Sequence, residues 1–221
     1  MSLSIYGIAA SRAIRPLWTA LELGLDFRHV PTPYQGGATR TPEFLALNPN
    51  GHIPVVVDQR PASEGGGEVV VWESMACALY LARCHGVADG VSIAPANPAE
   101  EGEALRWSFW VMSECEADAL TVLMHRLVMP ADRRKPELAD AAERRLKVPM
   151  AVLEQQLECQ AQAGHDWLAA ARFTVADLCV ASVLNWVRSS RPLMDANPRV
   201  HAWVRRCLER PAYLRARALE G

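Results

Sequence analysis

The chain lacks the features that would tie it to a charged polymer, a bilayer or a metal. Its 221 residues carry 23 Lys and Arg against 25 Asp and Glu, a formal net charge of −2. So even a balance gives no field to concentrate nucleic acid or an anionic membrane surface, and neither partner is expected. Two short basic runs, Arg133-Arg134-Lys135 and Arg144-Arg145-Leu146-Lys147, sit among acidic residues at helical spacing and read as solvated faces. No window reaches the roughly 18 apolar residues that a spanning helix needs. Six cysteines (Cys77, Cys84, Cys115, Cys159, Cys179, Cys207) form no C-x-x-C pair and scatter through helical patterns, unlike a disulfide framework. The six histidines show no ligand spacing, so no metal site is expected. The opening Met-Ser-Leu-Ser-Ile-Tyr has neither a basic leader nor an apolar stretch before a cleavage site, which with the dispersed cysteines points to a cytoplasmic protein.

What is present is ample apolar material in ordered patterns. Half the residues are hydrophobic and no polar low-complexity tract intervenes, enough for one large or two modest cores. Leu3 to Ile8 reads as a short strand. From about Ala13 the period changes, with Ile14, Leu17, Trp18 and Leu21 at helical spacing and Gly24 as the stop. Phe27 to Val30 reads as a second strand. Thr41-Pro42-Glu43 caps and opens a short helix that ends at Asn48-Pro49. Two β-branched runs, Ile53 to Val57 and Val69 to Trp72, flank an enlarged turn from Asp58 to Glu68. Ser74 to Cys84 returns to helix. This βαβαββα order within residues 1–85 predicts helices layered on a mixed sheet.

Residues 86–102 are rich in Pro, Gly and Ala and read as a linker. Beyond it, over 103–221, every strong pattern is helical, at about 100–126, 137–162, 174–190 and 197–208, with a short turn near 212–218. Thr174 and Asp177 form an N-terminal capping pair. The expected class is therefore α/β followed by all-α.

Three positions carry candidate chemistry. Pro54 stands where a strand should have begun, which suits either an edge proline or a cis Ile53-Pro54 bond. Glu73-Ser74 precedes a helix, so Ser74 is either a plain cap or an anion-binding hydroxyl at the positive end of a helix dipole. Ser11 lies just before the first helix and admits the same two readings.

These pieces, taken in order, resemble the glutathione transferase family over nearly the whole chain. Asn48-Pro49-Asn50-Gly51-His52-Ile53-Pro54 is similar to the family's loop before its cis-proline, and Glu73-Ser74 matches its acidic-serine motif. Tyr6-Gly7 with Ser11-Arg12-Ala13 and Arg15, then Leu21-Glu22-Leu23-Gly24, resembles the opening of many bacterial members. Phe173-Thr174-Val175-Ala176-Asp177 resembles the capping box of the family's helical domain.

The resemblance implies a thioredoxin-like first domain and an enzyme of detoxification that attacks hydrophobic electrophiles with the glutathione thiolate. Glutathione is then a co-substrate, and no further cofactor is expected. Glu73 would meet the γ-glutamyl ammonium, Ser74 the α-carboxylate, and Ile53 beside Pro54 the cysteinyl backbone. His52 stands where many members carry Lys or Gln for the glycyl carboxylate. Ser11 is the implied catalytic hydroxyl in a serine-type member, with Tyr6 the competing one. Ala10 stands where some members have a cysteine, which argues against mixed-disulfide chemistry on the protein's own thiol. Most of Trp107, Phe109, Trp110, Val111 and Met112 should be core, leaving Trp110 and Ser113 for the second substrate in the groove between domains. The family also implies a homodimer. A glutathione-dependent disulfide reductase and a catalytically silent binding or scaffold protein are the competing readings.

Overall fold

The computed structural model describes residues 2–61, 63, 65–87 and 92–219. The chain divides into two units, Met1–Ala94 together with Arg210–Gly221, and Pro95–Glu209.

The first unit runs β1 (Leu3–Tyr6), α1 (Ile14–Glu22), β2 (Arg28–Val30), α2 (Pro42–Leu47), β3 (Val55–Arg60), β4 (Gly67–Trp72) and α3 (Ser74–His85). The sheet order is β2-β1-β3-β4, with β1 parallel to β2 and the other two pairings antiparallel. This is the predicted mixed sheet. One face carries Phe44 of α2 packed with Val55 and Val57, flanked by Tyr6, Leu47, Ile53 and Val70. On α1, Leu17 and Trp18 are fully buried, as is Leu81 of α3, and the two helices pack on each other.

The β3–β4 hairpin is longer than its β-branched runs suggest. Ladder pairs continue through Asp58↔Val69, Gln59↔Glu68 and Arg60↔Gly67, so residues expected in the turn are strand. Side-chain partners explain this. The buried Asp58 carboxylate accepts from Tyr80 Oη at 2.7 Å and contacts His85 Nε2 at 2.8 Å, while Gln59 Nε2 donates across the ladder to Glu68 Oε2 at 2.6 Å. Residues 62 and 64 of the expected turn, and 88–91 of the expected linker, lie outside the described residues. Pro54 precedes β3 rather than interrupting it.

The second unit is helical: α4 (Pro98–Trp110), α5 (Glu116–Leu123), α6 (Pro136–Gln162), α7 (Val175–Leu184), α8 (Arg191–Ala196) and α9 (Pro198–Leu208). Helix α4 begins inside the stretch read as linker, because Asn97 accepts from the Glu100 N–H at 3.0 Å and Pro98 sits in the first turn. The segment read as one helix over 100–126 is broken by two π-helical turns, Val111–Cys115 and Met124–Val128. Helix α8 escaped the periodicity reading because it is a mere 6 residues long. Asp177 organises the unit: its carboxylate accepts from Thr174 N at 2.9 Å, Leu168 N at 2.8 Å and Trp203 Nε1 at 2.9 Å. Trp203 is accordingly core.

The last helix, α10 (Pro211–Arg217), falls with the first unit instead of closing the helical one. Arg210 forms a two-pronged ion pair with Glu22 at 2.6 and 2.7 Å, and Tyr213 packs edge-on to Trp18. Tyr213 is core, but of the first unit.

Candidate functional site

The sheet register gathers the candidate residues of the first unit at one end. Tyr6 at the close of β1 pairs with Val55 at the opening of β3, and Val55 pairs with Trp72 at the close of β4. The segments just beyond those three residues are the Gly7–Ala13 turn, the Ile53-Pro54 dipeptide and Glu73-Ser74. Three motifs far apart in sequence therefore share one end of the sheet.

Gly7 makes the close approach possible. Its φ is +135°, and a Cβ there would stand 2.6 Å from Ala13 Cβ and 3.3 Å from Ile53 Cβ. Only glycine fits between the Ser11 turn and the proline loop. Its N–H donates to Val30 O at 3.0 Å, and its carbonyl lies 2.8 Å from His29 Nε2.

Ser11 lies in a turn that leads into α1, whose N-cap position is held by Ala13. The Ser11 hydroxyl donates to Ile8 O at 2.7 Å and accepts from Ala13 N at 3.1 Å. It is a half-buried group one step ahead of the helix, rather than the helix cap itself. Tyr6 packs edge-on against Phe44, with ring centroids 6.4 Å apart.

The proline loop is built around the buried side chain of Asn48, the first residue of its motif. Asn48 Nδ2 donates to His52 O at 2.7 Å, and Asn48 Oδ1 accepts from Asn50 N at 3.0 Å. Gly51 turns the loop with φ +62°, packed so closely that a Cβ would stand 2.9 Å from Thr39 O. The Ile53-Pro54 bond is cis, as one of the two sequence readings has it. The His52 side chain is exposed.

Glu73 and Ser74 differ sharply from each other. Glu73 is exposed and has φ +71°, the one positive φ among the described non-glycine residues. A residue with a side chain costs of order 1–3 kcal/mol in such a region, and strain of this kind clusters at functional sites. Ser74 is buried at the start of α3 and accepts from Arg15 Nη1 at 2.6 Å. Arg15 is itself fully buried on α1, and its sequence position alone does not point to this contact. A serine hydroxyl has one proton and two lone pairs. With Arg15 donating to the oxygen, the proton of Ser74 is left for an acceptor outside.

The chain's own thiols are poorly placed for chemistry here. Burial pushes Cys77 of α3 up to about 12, and its Sγ donates to Val71 O at 3.3 Å. Burial likewise pushes Cys115 up to about 12. The exposed cysteines are Cys84, towards the far end of α3, and Cys159 on α6. Among the described residues, no group of three or more His, Cys, Asp or Glu side chains is placed to hold a metal. No described helix is long and apolar enough to cross a membrane.

Trp110 and Ser113 belong to the second unit. Trp110 stacks edge-on with Trp107 and lines a cavity of about 430 Å³ with Arg106, Val152, Gln155, Gln156 and Cys159. Ser113 lies in the first π-helical turn, and its hydroxyl donates to Phe109 O and Trp110 O, the carbonyls of its own helix.

Comparison with known proteins gives a consistent result over both units. The domain description "Glutathione S-transferase, N-terminal domain" matches residues 11–84, and "Glutathione S-transferase, C-terminal domain" matches residues 116–211. Glutathione S-transferase 3 of Zea mays is 33% identical over 96% of this chain and 91% of its own length. Disulfide-bond oxidoreductase YfcG of Escherichia coli is 29% identical over 86% of this chain and 83% of its own. A solved glutathione S-transferase-I bound with lactoylglutathione superposes with a TM-score of 0.80 at 25% identity, over 99% of each chain.

Proposed function

The chain belongs to the glutathione S-transferase family and is a glutathione transferase; from that premise, we propose that Ser11 activates the thiol and that Ile53, Pro54, Glu73 and Ser74 hold the tripeptide. The observation that carries this reading is the shared end of the sheet, which brings the Ser11 turn, the Ile53-Pro54 dipeptide and the start of α3 together.

Each group has a chemical task suited to its surroundings. The exposed Glu73 carboxylate pairs with the ammonium of the γ-glutamyl end. Ser74, with its oxygen held by Arg15, donates its proton to the α-carboxylate, where the N-terminus of α3 adds a favourable dipole. The Ile53 backbone meets the cysteinyl residue. The exposed His52 meets the glycyl carboxylate.

Catalysis needs the thiolate, which a free thiol of pKa about 8.5 supplies sparingly near neutrality. In our reading Ser11 turns its proton from Ile8 O to the sulfur while Ala13 N–H continues to donate to Oγ. Donation into an oxygen polarises its O–H, so the Ala13 contact makes Ser11 a better donor to the anion. The thiol proton leaves to solvent, and the thiolate pair then forms a C–S bond to an electrophilic carbon of a hydrophobic second substrate, while the pair of the bond broken at that carbon departs with a leaving group or, in an addition, moves along the conjugated double bond and is protonated by solvent. Trp110 and Ser113 are the residues we assign to that substrate.

The assembly we propose is a homodimer. Leu105 and Phe109 on α4, and Val148 and Val152 on α6, are exposed apolar pairs at i, i+4 spacing, with Phe109 70% and Val148 72% exposed. Such faces favour burial against a second copy. The setting we propose is the cytoplasm, which suits six free cysteines.

The competing reading is a glutathione-dependent disulfide reductase, favoured by the likeness to the Escherichia coli oxidoreductase. Calorimetry with glutathione, followed by turnover on an electrophile panel and on a disulfide, separates the two. We expect binding and turnover on electrophiles. Turnover on the disulfide alone would favour the reductase, and no binding at millimolar glutathione would leave a silent binding protein.

A further inference from the structure

The C-terminal helix reaches the turn that carries Ser11. Arg217, in the last turn of α10, donates from Nη1 to Ala9 O at 3.1 Å. Ala9 is buried and lies two residues before Ser11, within the same Gly7–Ala13 turn. Nothing in the family motifs of the first 85 residues points to this contact, because its donor stands more than 200 positions away in the chain.

The contact is the end of a continuous clasp. At the start of α10, Arg210 grips Glu22 through both carboxylate oxygens, and Glu22 Oε1 also accepts from Trp18 Nε1 at 2.9 Å. In the middle, Tyr213 stacks edge-on against the fully buried Trp18, with centroids 4.8 Å apart. Ala212 and Ala216 are buried on the same helix. Arg215 Nη2 donates to Leu21 O at 3.3 Å. Arg210 and Arg215 bind the C-terminal half of α1, and Arg217 binds the turn ahead of it. Packing against Trp18 fixes the helix, and the fixed helix delivers Arg217 to the turn.

The turn has much to gain from an outside anchor. Gly7 ties its start to β2, and around Ser11 its local contacts include Ser11 N to Ile8 O at 3.0 Å, the Ser11 hydroxyl to the same carbonyl and Ala13 N to the Ser11 hydroxyl oxygen. If the hydroxyl swings to a thiolate, Ile8 O loses one of those donors, and the turn then depends on what else holds its backbone. The Ala9 carbonyl on Arg217 sits outside that exchange. We infer that Arg217 is a positioning residue for thiol activation, holding the Ser11 turn in place from the C-terminal helix; this rests on the assignment of Ser11 above.

The test titrates the thiolate absorbance of the enzyme–glutathione complex for the wild type, Arg217→Met, Arg217→Lys, Arg210→Met and Ser11→Ala. Arg217→Met should raise the pKa of the bound thiol by about half a unit and lower kcat near neutrality about two- to fivefold, the span of an exposed charged contact. The glutathione dissociation constant should change little, since Glu73 and Ser74 are untouched. Arg217→Lys keeps a long cationic donor and should restore most of the shift. Arg210→Met cuts the clasp at its other end; it should lower the melting temperature without moving the titration. A titration unmoved by Arg217→Met but moved by Ser11→Ala overturns the inference and leaves the Ser11 assignment standing. The converse, moved by Arg217→Met but not by Ser11→Ala, overturns the Ser11 assignment and with it the form of the inference stated here, leaving Arg217 as the anchor of backbone donors. A shift in Arg210→Met as large as in Arg217→Met would reduce Arg217 to general stabilisation and also overturn it.

Discussion

Arg15 and Ser74, 59 residues apart, meet at 2.6 Å, with the guanidinium donating to the hydroxyl oxygen, both buried. The contact joins α1 to the first residue of α3 and uses the Ser74 oxygen as an acceptor. Ser74→Ala should weaken glutathione binding about tenfold, the loss of a hydrogen bond to a charged group, with a much smaller fall in kcat. Because Arg15 also loses this acceptor, the unliganded variant should lose about 1 kcal/mol in urea unfolding. Calorimetry and unfolding on the same preparation check both, and an unchanged affinity would remove Ser74 from the site.

At Glu73 the proposed role and stability should oppose each other. Its φ of +71° suits glycine, so Glu73→Gly should raise stability by about 0.5–1 kcal/mol. The same change removes the carboxylate, and glutathione affinity should drop. Glu73→Gln keeps the backbone constraint and should lower affinity without the gain in stability. Thermal melts beside binding isotherms separate the two effects.

Asp177 is fully buried and receives backbone N–H groups from Leu168 and Thr174 and the indole N–H of Trp203. Asp177→Ala leaves several buried donors without an acceptor, so a loss of about 3 kcal/mol or more is expected. The urea midpoint is the readout. A loss below about 1 kcal/mol would mean the donors find other partners.

The acid side of the stability curve should carry a mark from Asp58. Burial alone would raise its carboxyl, but hydrogen bonds from Tyr80 and His85, with Arg60 beside them, hold it below its ordinary value. A carboxyl lowered on folding adds stability that is full above the unfolded value of about 3.9 and fades as pH falls through the folded one. The wild type should therefore exceed Asp58→Asn in stability at pH 6, with the gap narrowing below about pH 4. Urea midpoints across that range give the comparison, and a gap independent of pH would mean that charge plays no part.

Much of this was legible in the residues, for reasons that particular positions illustrate. The βαβαββα order showed because Ile14, Leu17, Trp18 and Leu21 keep a helical period and Thr41-Pro42 punctuates the next helix, both local signals. The long reach of β3 and β4 was hidden, since Asp58 and Gln59 look like turn residues until Tyr80, His85 and Glu68 supply their partners. The same holds for the site. Ser11, Ile53-Pro54 and Glu73-Ser74, the residues we assign to glutathione, are marked by motif, whereas the contacts of Arg15, Asn48 and Arg217 are ones that no spacing rule expresses. The placing of α10 with the first unit was likewise invisible, because Arg210 finds Glu22 188 positions away. The two π-helical turns escaped because apolar period alone does not distinguish them from a continuous helix.

The central claim is that the Ser11 hydroxyl stabilises the bound thiolate, and the direct measurement is thiolate absorbance of the enzyme–glutathione complex against pH. The account predicts that Ser11→Ala raises the pKa of the bound thiol by about one unit, equivalent to about 1.4 kcal/mol, while glutathione affinity changes little. Tyr6→Phe, whose ring packs on Phe44, should leave the titration near that of the wild type. A titration unmoved by Ser11→Ala and displaced by Tyr6→Phe would contradict the claim and transfer the role to Tyr6.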